Sequence, residues 1–354
     1  MKIAQIAPLC EAVPPRLYGG TERVVSHLTE ALVEQGHEVT LFASGDARTS
    51  ARLIATRARP LRLDTSGLVS DLASHLSLLH EVRLHSDEFD VLHFHTDMLH
   101  FPLFESIASR TLTTLHGRLD IADLRQAYAR WPMFPLVSIS DQQRTHLPAA
   151  NWYETVHHGI SPEGYRFDAL GEGDYLAFLG RISPEKRPDR AIEIAKASGV
   201  PIRLAAKVDK VDRDYFEQCI RPMLDHPLVH FIGEIDDDQK VEFLGNARAL
   251  LFPIDWPEPF GLVMIEAMAC GTPVIAWNCG SVPEVIDHGR TGWIVDDMAD
   301  AVAAVHATPQ LPRAQIRAAF EDHFTADAMA RRYVHLYRQL ARGGRELLLE
   351  GEAA

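Results

Sequence analysis

Short apolar runs alternate with longer amphipathic segments along this chain, and the alternation restarts once, near residue 174. The segments with the clearest helical spacing, 21–36 and 188–199, each close on a glycine, as helices often do. Short strands separated by helices of this length predict βαβ units and parallel sheets. The strand candidates are 2–9, 38–44, 90–95, 111–117, 136–140 and 155–160 in the first half, and 175–182, 202–208, 229–235, 249–254, 272–277 and 291–296 in the second.

This restart predicts an α/β protein of two doubly wound, Rossmann-like domains. A length of 354 residues suits two domains, because single hydrophobic cores stop growing at roughly 250–300 residues. We place the N-terminal domain at 1–165 and the C-terminal domain at 174–323, joined by the polar segment 161–174. A C-terminal helix at 324–354 could pack back on the N-terminal domain. Because ligands bind beyond the carboxyl ends of such strands, two such domains predict a substrate cleft between them.

The overall charge and the cysteine pattern restrict the class of protein. A formal net charge of −14 argues against nucleic acid as a partner. There is no run of eighteen apolar residues, and the first residues do not form a signal peptide, so we expect no transmembrane segment and a cytoplasmic location. The four cysteines form no C-x-x-C pair, which fits a reducing compartment.

One stretch is locally basic, with five arginines between Arg48 and Arg62. A solvated loop is the ordinary interpretation of such a short charge run. The alternative is a strip that contacts an acidic partner, a membrane surface or the acceptor, so peripheral membrane contact stays open.

Two glycines follow the first predicted strand. Gly19 and Gly20 precede a helix, where backbone N–H groups could approach an anion at the positive helix end. The alternative is a simple turn with Thr21 as the N-cap. Neither a G-x-x-x-x-G-K-[ST] loop nor a G-x-G-x-x-G loop occurs in the chain, which argues against an NTPase or an NAD enzyme.

Two cations lie on the loop that follows the first strand of the second half. Arg181 and Lys186 are placed at the ligand-binding edge of the sheet, where they could hold a diphosphate. Ordinary loop charge is the alternative.

Two carboxylates are eight positions apart in PEPFGLVMIEAMACG. Glu258 precedes a helix that we expect to begin near Gly261 or Leu262, and Glu266 lies in its second turn among apolar residues. A buried carboxylate is costly unless it is partnered. A capping or salt-bridge role is one explanation for Glu266. The other is that the two acids accept hydrogen bonds from separate hydroxyl-bearing parts of one ligand.

The string from 257 to 297 resembles the Glu-x7-Glu region of retaining glycosyltransferase family 4, whose members have the GT-B fold of two Rossmann-like domains facing a central cleft. Gly19 and Gly20, Arg181 and Lys186 match further family features in the expected order, so the resemblance covers nearly the whole chain.

The resemblance implies a role for each matching residue. Glu266 would bind the ribose of a nucleotide sugar, Glu258 the transferred sugar, and Arg181 and Lys186 the diphosphate. The glycine pair Gly19 and Gly20 of the N-terminal domain would lie near the donor, as would the backbone of Phe260, Gly261 and Leu262 at the helix start. His116 would lie near the donor sugar. The catalytic set is then Arg181, Lys186, Glu258 and His116.

The implied reaction is front-face transfer with retention at the anomeric carbon, without metal or cofactor. The leaving diphosphate takes the proton of the acceptor, and nearby cations stabilise its charge. The substrates would be a nucleoside-diphosphate sugar, with UDP favoured over GDP, and a hydroxyl-bearing acceptor such as a saccharide, a lipid-linked glycan or a small molecule. The chain departs from many relatives at His157 and His158, where they have Pro-Asn.

Other polar residues at strand ends are ambiguous. His93, His95 and Asp97 share a face of one strand and could bind a metal, although we expect an acceptor-side or structural role for the two histidines. Ser140 is a further acceptor-side candidate. Asp236-Asp237-Asp238 imitates a metal-binding motif, but its setting predicts an N-cap with an acidic first turn.

Two other functions are also compatible with the sequence. One is a GT-B-like nucleotide-sugar epimerase, which would convert the donor sugar without an acceptor. The other is a non-catalytic nucleotide-sugar-binding subunit, which would not turn over in isolation.

Overall fold

The computed structural model describes residues 1–16, 19–67, 69–169, 171 and 173–352. These residues form two compact units. The first unit contains Met1–Gly159 and the residues from Ala326 onward, and the second contains Ile160–Thr325. Residues 160–165, which were predicted to be part of the N-terminal domain, thus belong to the second unit. Of the predicted linker at 161–174, residues 170 and 172 lie outside the described part of the chain.

The first unit is built on a seven-stranded parallel sheet. Its strands are β1 (Lys2–Ile6), β2 (Glu38–Ala43), β3 (Arg52–Ala55), β4 (Val91–Phe94), β5 (Thr111–Thr114), β6 (Leu136–Ser138) and β7 (Trp152–Thr155). Their order across the sheet is β3-β2-β1-β4-β5-β6-β7, with every neighbouring pair parallel. The order reverses between β1 and β4, which makes the carboxyl ends of these two strands the topological switch point.

The crossovers of this sheet contain helices of unequal length. They are α1 (Gly20–Glu34), α2 (Asp71–Leu84), α3 (Phe101–Phe104), α4 (Ala122–Tyr128) and α5 (Asp141–Arg144). The β1 and β4 side chains Ala4, Ile6, Leu92 and Phe94 are fully buried. Apolar strands covered on both faces are typical of such sheets.

The second unit repeats the plan with a six-stranded parallel sheet. Its strands are β8 (Leu176–Arg181), β9 (Ile202–Lys207), β10 (Val229–Gly233), β11 (Ala249–Phe252), β12 (Val274–Trp277) and β13 (Gly292–Val295). The order is β10-β9-β8-β11-β12-β13, so the switch point lies between β8 and β11. The helices are α6 (Pro188–Ser198), α7 (Arg213–Tyr215), α8 (Asp237–Gly245), α9 (Leu262–Ala269), α10 (Val282–Val285), α11 (Met298–Ala307) and α12 (Arg313–His323).

The last helix, α13 (Ala326–Glu352), returns to the first unit. It packs on α1, and the Gln35 amide donates to the Asp327 carboxylate at 2.9 Å. Tyr333 and Tyr337 on its inner face are buried against the strands. In the part of the chain described here, no helix combines the length and the apolar character that crossing a membrane requires.

Eleven of the twelve predicted strands coincide with observed ones, with shorter ends. The candidate at 155–160 was wrong, because the strand lies earlier, at Trp152–Thr155. This edge strand pairs only with β6 through residues 136–138, so it stops where β6 stops. Helices α1 and α6 lie where the sequence predicts them, and α6 ends with Gly199 in the left-handed conformation (φ 69°).

The basic stretch contains a strand that was not predicted from the sequence. Residues 52–55 form β3, which pairs with β2 at the edge of the sheet. Arg52 pairs with Glu88 at 2.9 Å, Arg57 with Asp64 at 2.5 Å and Arg62 with Glu11 at 2.7 Å. The stretch is therefore not a plain loop, and part of its positive charge is neutralised by neighbouring acids.

Candidate active site

The loops after β8 and β11 leave the second sheet at its switch point. The first of them carries Lys186 between the end of β8 at Arg181 and the start of α6 at Pro188. The second carries Glu258 between the end of β11 at Phe252 and the start of α9. Loops at such a point form the usual ligand crevice of an open α/β sheet.

Lys186 and Glu258 form an ion pair between these two loops. Their side chains are 15% and 12% exposed. The indole nitrogen of Trp256 donates to the same carboxylate oxygen of Glu258 at 3.0 Å, and the Lys186 ammonium lies 5.2 Å from the Trp256 ring centre. The ammonium is also 5.5 Å from the ring of Phe252. Each charge is thus compensated by a partner within a largely desolvated corner.

The segment from Phe260 to Leu262 turns the chain into α9. Gly261 is the N-cap residue, with φ 78°, and Leu262 is the first helical residue, as the sequence predicts. The Phe260 side chain is buried, and the Ser281 hydroxyl donates to the Phe260 carbonyl at 2.8 Å. The first N–H groups of α9 therefore lie directly after the Glu258 loop, where a helix end favours negative charge.

Gly280 holds the Glu258 loop in place by close backbone contact. Its φ is 58°, and a Cβ at this position would lie 2.4 Å from the Glu258 nitrogen and 2.5 Å from the Glu258 oxygen. The next residue, Ser281, donates from its backbone N–H to that same Glu258 carbonyl at 3.0 Å. Only a glycine fits here without moving the Glu258 backbone.

Glu266 has internal partners for its buried charge. Its side chain is 6% exposed, and its Oε1 accepts from the Lys240 ammonium at 2.8 Å and from the Tyr165 hydroxyl at 3.0 Å. Lys240 is 10% exposed and also pairs with Asp237 at 3.0 Å. The salt-bridge interpretation that the sequence left open therefore describes part of what Glu266 does.

Arg181 faces two carboxylates. Its guanidinium lies 3.7 Å from Asp209 and 3.9 Å from Asp212, and Asp209 is also paired with Lys207 at 2.9 Å. Desolvation raises the pKa of the Asp212 carboxyl above its ordinary value, against the opposing effect of Arg181. Of the two predicted diphosphate ligands, Lys186 contacts a predicted sugar ligand, whereas Arg181 contacts acids that sequence reasoning did not select.

In the first unit, the glycine pair marks the start of α1. Gly19 is the N-cap residue and Gly20 the first helical residue, so the alternative of Thr21 as the cap was wrong. Within the described residues, no side-chain cap bond is formed at this end of the helix. Glu22 in the first turn is buried and accepts from the Glu11 backbone N–H at 3.2 Å. Burial raises the pKa of the Glu22 carboxyl.

The predicted histidines of the first unit belong to one buried network. His93 Nε2 lies 2.7 Å from the Thr114 hydroxyl, and His93 Nδ1 lies 2.7 Å from the Tyr337 hydroxyl. His95 Nδ1 lies 2.8 Å from His116 Nε2. His93 and His95 are buried, whereas His116 is half-buried. Burial lowers the pKa of His93 and His95 well below the ordinary value and that of His116 to about 3.

Ser140 is engaged as a helix cap. It is fully buried, and its hydroxyl accepts from the Gln143 backbone N–H at 3.1 Å as the N-cap of α5. The acceptor-side roles predicted for His93, His95 and Ser140 would require these side chains to give up such bonds.

The residues considered for metal binding have other structural roles. Among the described residues, the cluster close enough to hold an ion is Cys10, Asp71 and His75. His93, His95 and Asp97, for which metal was the less favoured interpretation, do not form such a cluster. His75 Nε2 accepts from the Leu9 N–H at 3.1 Å, and its Nδ1 pairs with Asp71 at 2.7 Å, so both ring nitrogens are engaged. Burial raises the pKa of Cys10 to about 11, which keeps it a thiol.

The acidic triplet begins a helix, as the sequence predicts. Asp236 is the N-cap of α8, and its side chain forms a reciprocal capping box with Gln239.

Two family models match the chain, one for each unit. Residues 18–159 match the model described as Glycosyltransferase Family 4, and residues 167–321 match the one described as Glycosyl transferases group 1. Together the matched ranges cover most of the chain. The chain belongs to glycosyltransferase family 4.

The relatives of this family 4 glycosyltransferase are distant in sequence. It is 25% identical to an uncharacterized glycosyltransferase of Methanocaldococcus jannaschii, over 86% of this chain and 87% of that protein. It is 24% identical to the phosphatidyl-myo-inositol mannosyltransferase of Mycolicibacterium smegmatis, over 100% and 97%. Among solved structures, AviGT4, a glycosyltransferase involved in avilamycin A biosynthesis, aligns with a TM-score of 0.74 at 25% identity, covering 97% of this chain and 98% of that one.

The GT-B assignment agrees with a further solved structure. The sucrose-phosphate synthase of Thermosynechococcus elongatus aligns with a TM-score of 0.75 at 22% identity, over 97% and 99% of the two chains. The glycosyltransferase thus has the two parallel-sheet domains of the GT-B class.

Several residues around the candidate site were not predicted from the sequence. Tyr165 and Lys240 hold Glu266, and Trp256 holds Glu258. One signal for Lys240 was available, because it precedes Phe243 and Leu244 by three and four positions on the buried face of α8. A buried acid requires a cation nearby, and a lysine on an apolar helix face is a natural candidate.

Proposed function

We propose that the protein transfers a hexose-type sugar from a nucleoside-diphosphate sugar to a hydroxyl-bearing acceptor with retention of anomeric configuration. UDP is the favoured nucleotide, and the proposed chemistry needs neither a metal ion nor a cofactor. The second unit would bind the donor and the first the acceptor, in a cytoplasmic setting.

The ion pair of Lys186 and Glu258 is the observation that carries this proposal. Two opposite charges at a sheet switch point, each 15% exposed or less, match the two halves of a sugar diphosphate. The diphosphate would take over Lys186 as its counter-ion, and sugar hydroxyls would donate to Glu258. Every hydrogen bond lost on ligand entry would then be replaced, which limits the desolvation cost of binding.

The groups around this ion pair would bind the nucleoside diphosphate part of the donor. The N–H groups at the start of α9 would favour an anion, next to the buried loop of Phe260 and Gly261. Lys240 and Tyr165 both donate to Glu266, and a carboxylate paired with a cation could also accept hydrogen bonds from both hydroxyls of a ribose. Arg181 would reach the diphosphate by exchanging Asp209 or Asp212 for it.

The proposed reaction places charge on the leaving diphosphate. The bond from the anomeric carbon to the diphosphate breaks while the acceptor oxygen bonds to that carbon from the same face. The acceptor proton passes to the departing diphosphate oxygen. Lys186 and Arg181 would stabilise the negative charge that develops there, which is the largest electrostatic contribution expected of this site. Gly20 and His116 would assist the phosphates and the donor sugar from the first unit.

A donor screen followed by kinetics tests this proposal. Thermal shifts with UDP, GDP, UDP-glucose and GDP-mannose identify the nucleotide, because a ligand that binds the folded state raises its stability. The mannosyltransferase relatives are the reason to include GDP-mannose. Turnover is then followed with and without acceptor sugars. Conversion of the donor sugar without an acceptor would indicate an epimerase instead, and the absence of any turnover would indicate a binding subunit.

Lys186→Met provides the site test, with Lys196→Met as its matched control. Lys196 pairs with Glu193 on the outer face of α6 and lies in the same unit. We expect kcat to fall about a hundredfold or more in Lys186→Met and to stay within twofold in the control. Equal activity of the two variants would contradict the site assignment.

A further inference from the structure

Gln5, a fully buried residue of β1, lies between rings of a continuous histidine chain in the first unit. We infer that Gln5 decides which nitrogen of His116 carries the proton, and that it thereby makes His116 an acceptor toward a hydroxyl group. The binding role of His116 rests on the proposed function, whereas the position of its proton does not. The histidine chain consists of His93, His95, His116 and His158.

The amide of Gln5 defines the donor at His95. Gln5 Nε2 donates to the Tyr337 hydroxyl at 3.0 Å, so Gln5 Oε1 points toward His95, whose Nε2 is 2.8 Å away. A carbonyl oxygen only accepts hydrogen bonds, which places the proton of His95 on Nε2. Burial lowers the pKa of His95 well below its ordinary value, so the ring is neutral and its Nδ1 is an acceptor.

The proton position on His95 fixes the donor on the next ring, His116. His95 Nδ1 is 2.8 Å from His116 Nε2, so His116 donates from Nε2. Burial lowers the pKa of His116 to about 3, and the neutral ring therefore keeps its Nδ1 as an acceptor. That nitrogen faces Nε2 of His158 across 3.4 Å, near the limit of a hydrogen bond. A substrate hydroxyl could take this position without disturbing the bond to His95.

A Gln5 amide turned over by 180° would reverse every donor along this route. Its NH2 group would donate to His95 Nε2, and His95 Nδ1 would then donate to His116 Nε2. His116 would present Nδ1–H, which donates to a phosphate oxygen or a hydroxyl oxygen and cannot accept the hydrogen of a hydroxyl. Both proton arrangements satisfy the two nitrogens of His95 and the Nε2 of His116. One buried amide therefore decides whether Nδ1 of His116, two hydrogen bonds away, accepts or donates. The contact from Gln5 Nε2 to Tyr337 corresponds to the first arrangement.

Nitrogen NMR of the 15N-labelled full chain tests this inference directly. Two-bond proton–nitrogen correlations of the imidazole rings distinguish Nε2–H from Nδ1–H, and His116→Asn identifies the signals of His116. We expect His116 as the Nε2–H form in the wild type. A wild-type His116 in the Nδ1–H form would overturn the inference.

Gln5→Met removes the acceptor for His95, and Thr114→Val is its matched control. Thr114 is also fully buried and contacts His93 Nε2, but it does not lie between Gln5 and His116. We expect His116 to lose its single protonated form in Gln5→Met and to keep it in Thr114→Val. An unchanged His116 in Gln5→Met would refute the control by Gln5.

Gln5→Glu covers the case in which Gln5→Met does not fold. A carboxylate accepts from His95 Nε2 as the amide oxygen does, so His116 should stay in the Nε2–H form. His116 as Nδ1–H in this variant would likewise refute the inference.

Kinetics separate the positioning role of Gln5 from a structural one. We expect Gln5→Met to raise the KM for the donor about tenfold, the equivalent of one hydrogen bond, with a smaller change in kcat. A purely structural defect would lower the active fraction and leave KM unchanged. If the proton of His116 moves while KM does not, the acceptor role of His116 is refuted, while the Lys186 comparison still decides the proposed function.

Discussion

Glu266 is the residue whose role changes most once its surroundings are known. Read along the chain, it is an isolated acid in an apolar helix. In the structure it is the centre of a buried triad with Lys240 and Tyr165. A carboxylate paired with a buried cation can be structural, ligand-binding or both. The two roles predict different effects of substituting Glu266 and of substituting its partner Lys240.

A comparison of Lys240→Met with Glu266→Gln separates these roles. Removing Lys240 leaves a buried carboxylate without its cation, so we expect a loss of about 3 kcal/mol in the free energy of unfolding. Nucleotide affinity should then stay within about threefold, because the proposed ribose ligand is still present. Glu266→Gln keeps the shape but weakens the acceptor, and we expect UDP affinity to fall about tenfold. Calorimetry and chemical denaturation measure both quantities.

An opposite ranking would identify Glu266 as purely structural. In that case Glu266→Gln would bind UDP like the wild type and would differ from it only in stability. The contacts around Glu258 offer no such ambiguity, because its partner Lys186 belongs to the same proposed site.

At the scale of elements, the turn into α9 depends on a distant glycine. Gly280 follows β12, yet it is the backbone of Glu258 that a Cβ at position 280 would meet. Gly289 is a matched control, since it has a similar positive φ of 79° and its nearest contact would be at 3.9 Å.

We expect Gly280→Ala to cost clearly more stability than Gly289→Ala. Gly289→Ala should cost about 1 kcal/mol, the strain of a left-handed alanine. Gly280→Ala carries the same strain and in addition displaces the Glu258 loop, so transfer activity should fall at least tenfold even where the protein folds. Thermal unfolding and kcat are the measurements. Equal effects of the two variants would show that the Glu258 loop does not depend on this contact.

Element prediction from the sequence succeeded where the pattern was long and failed where it was short. The strands around both switch points are apolar and were found, as was the helix after Gly261. Strand β3 was missed because its four residues begin with Arg52, in a stretch dominated by charge. The sequence also indicated Glu266 but not Tyr165, since 101 positions separate them and only tertiary folding brings them together.

The first unit as a whole contains a cluster of rings that must stay neutral to stay buried. Desolvation holds the pKa of His93, His95 and His158 well below the ordinary value and that of His116 at about 3. The unfolded chain binds protons at these rings below about pH 6.5, and the folded unit does not. Since the unfolded state then carries more protons, stability falls as the pH is lowered.

We therefore expect the first unit to lose stability between about pH 6.5 and pH 4, by up to about 1.4 kcal/mol per pH unit for each ring. Asp97 and Glu22 act in the opposite direction, because burial raises the pKa of Asp97 to about 6 and also raises that of Glu22, but these two carboxyls are fewer than the four rings. Hydrogen–deuterium exchange at pH 7 and pH 5 can follow peptides of each unit separately. His158→Asn should make the pH dependence shallower. A pH dependence confined to the second unit would contradict this expectation.

The return of α13 to the first unit has a consequence for synthesis. The second unit is one uninterrupted segment, whereas the first needs Tyr333 and Tyr337 from the end of the chain to complete its buried network. Domains generally fold as the ribosome delivers them. The strands of the first unit are synthesised before the second unit, but Tyr333 and Tyr337 are synthesised after it. Until then, polar groups of the first sheet such as Gln5 lack these hydrogen-bond partners. The unit whose synthesis begins first is therefore the last to complete its packing.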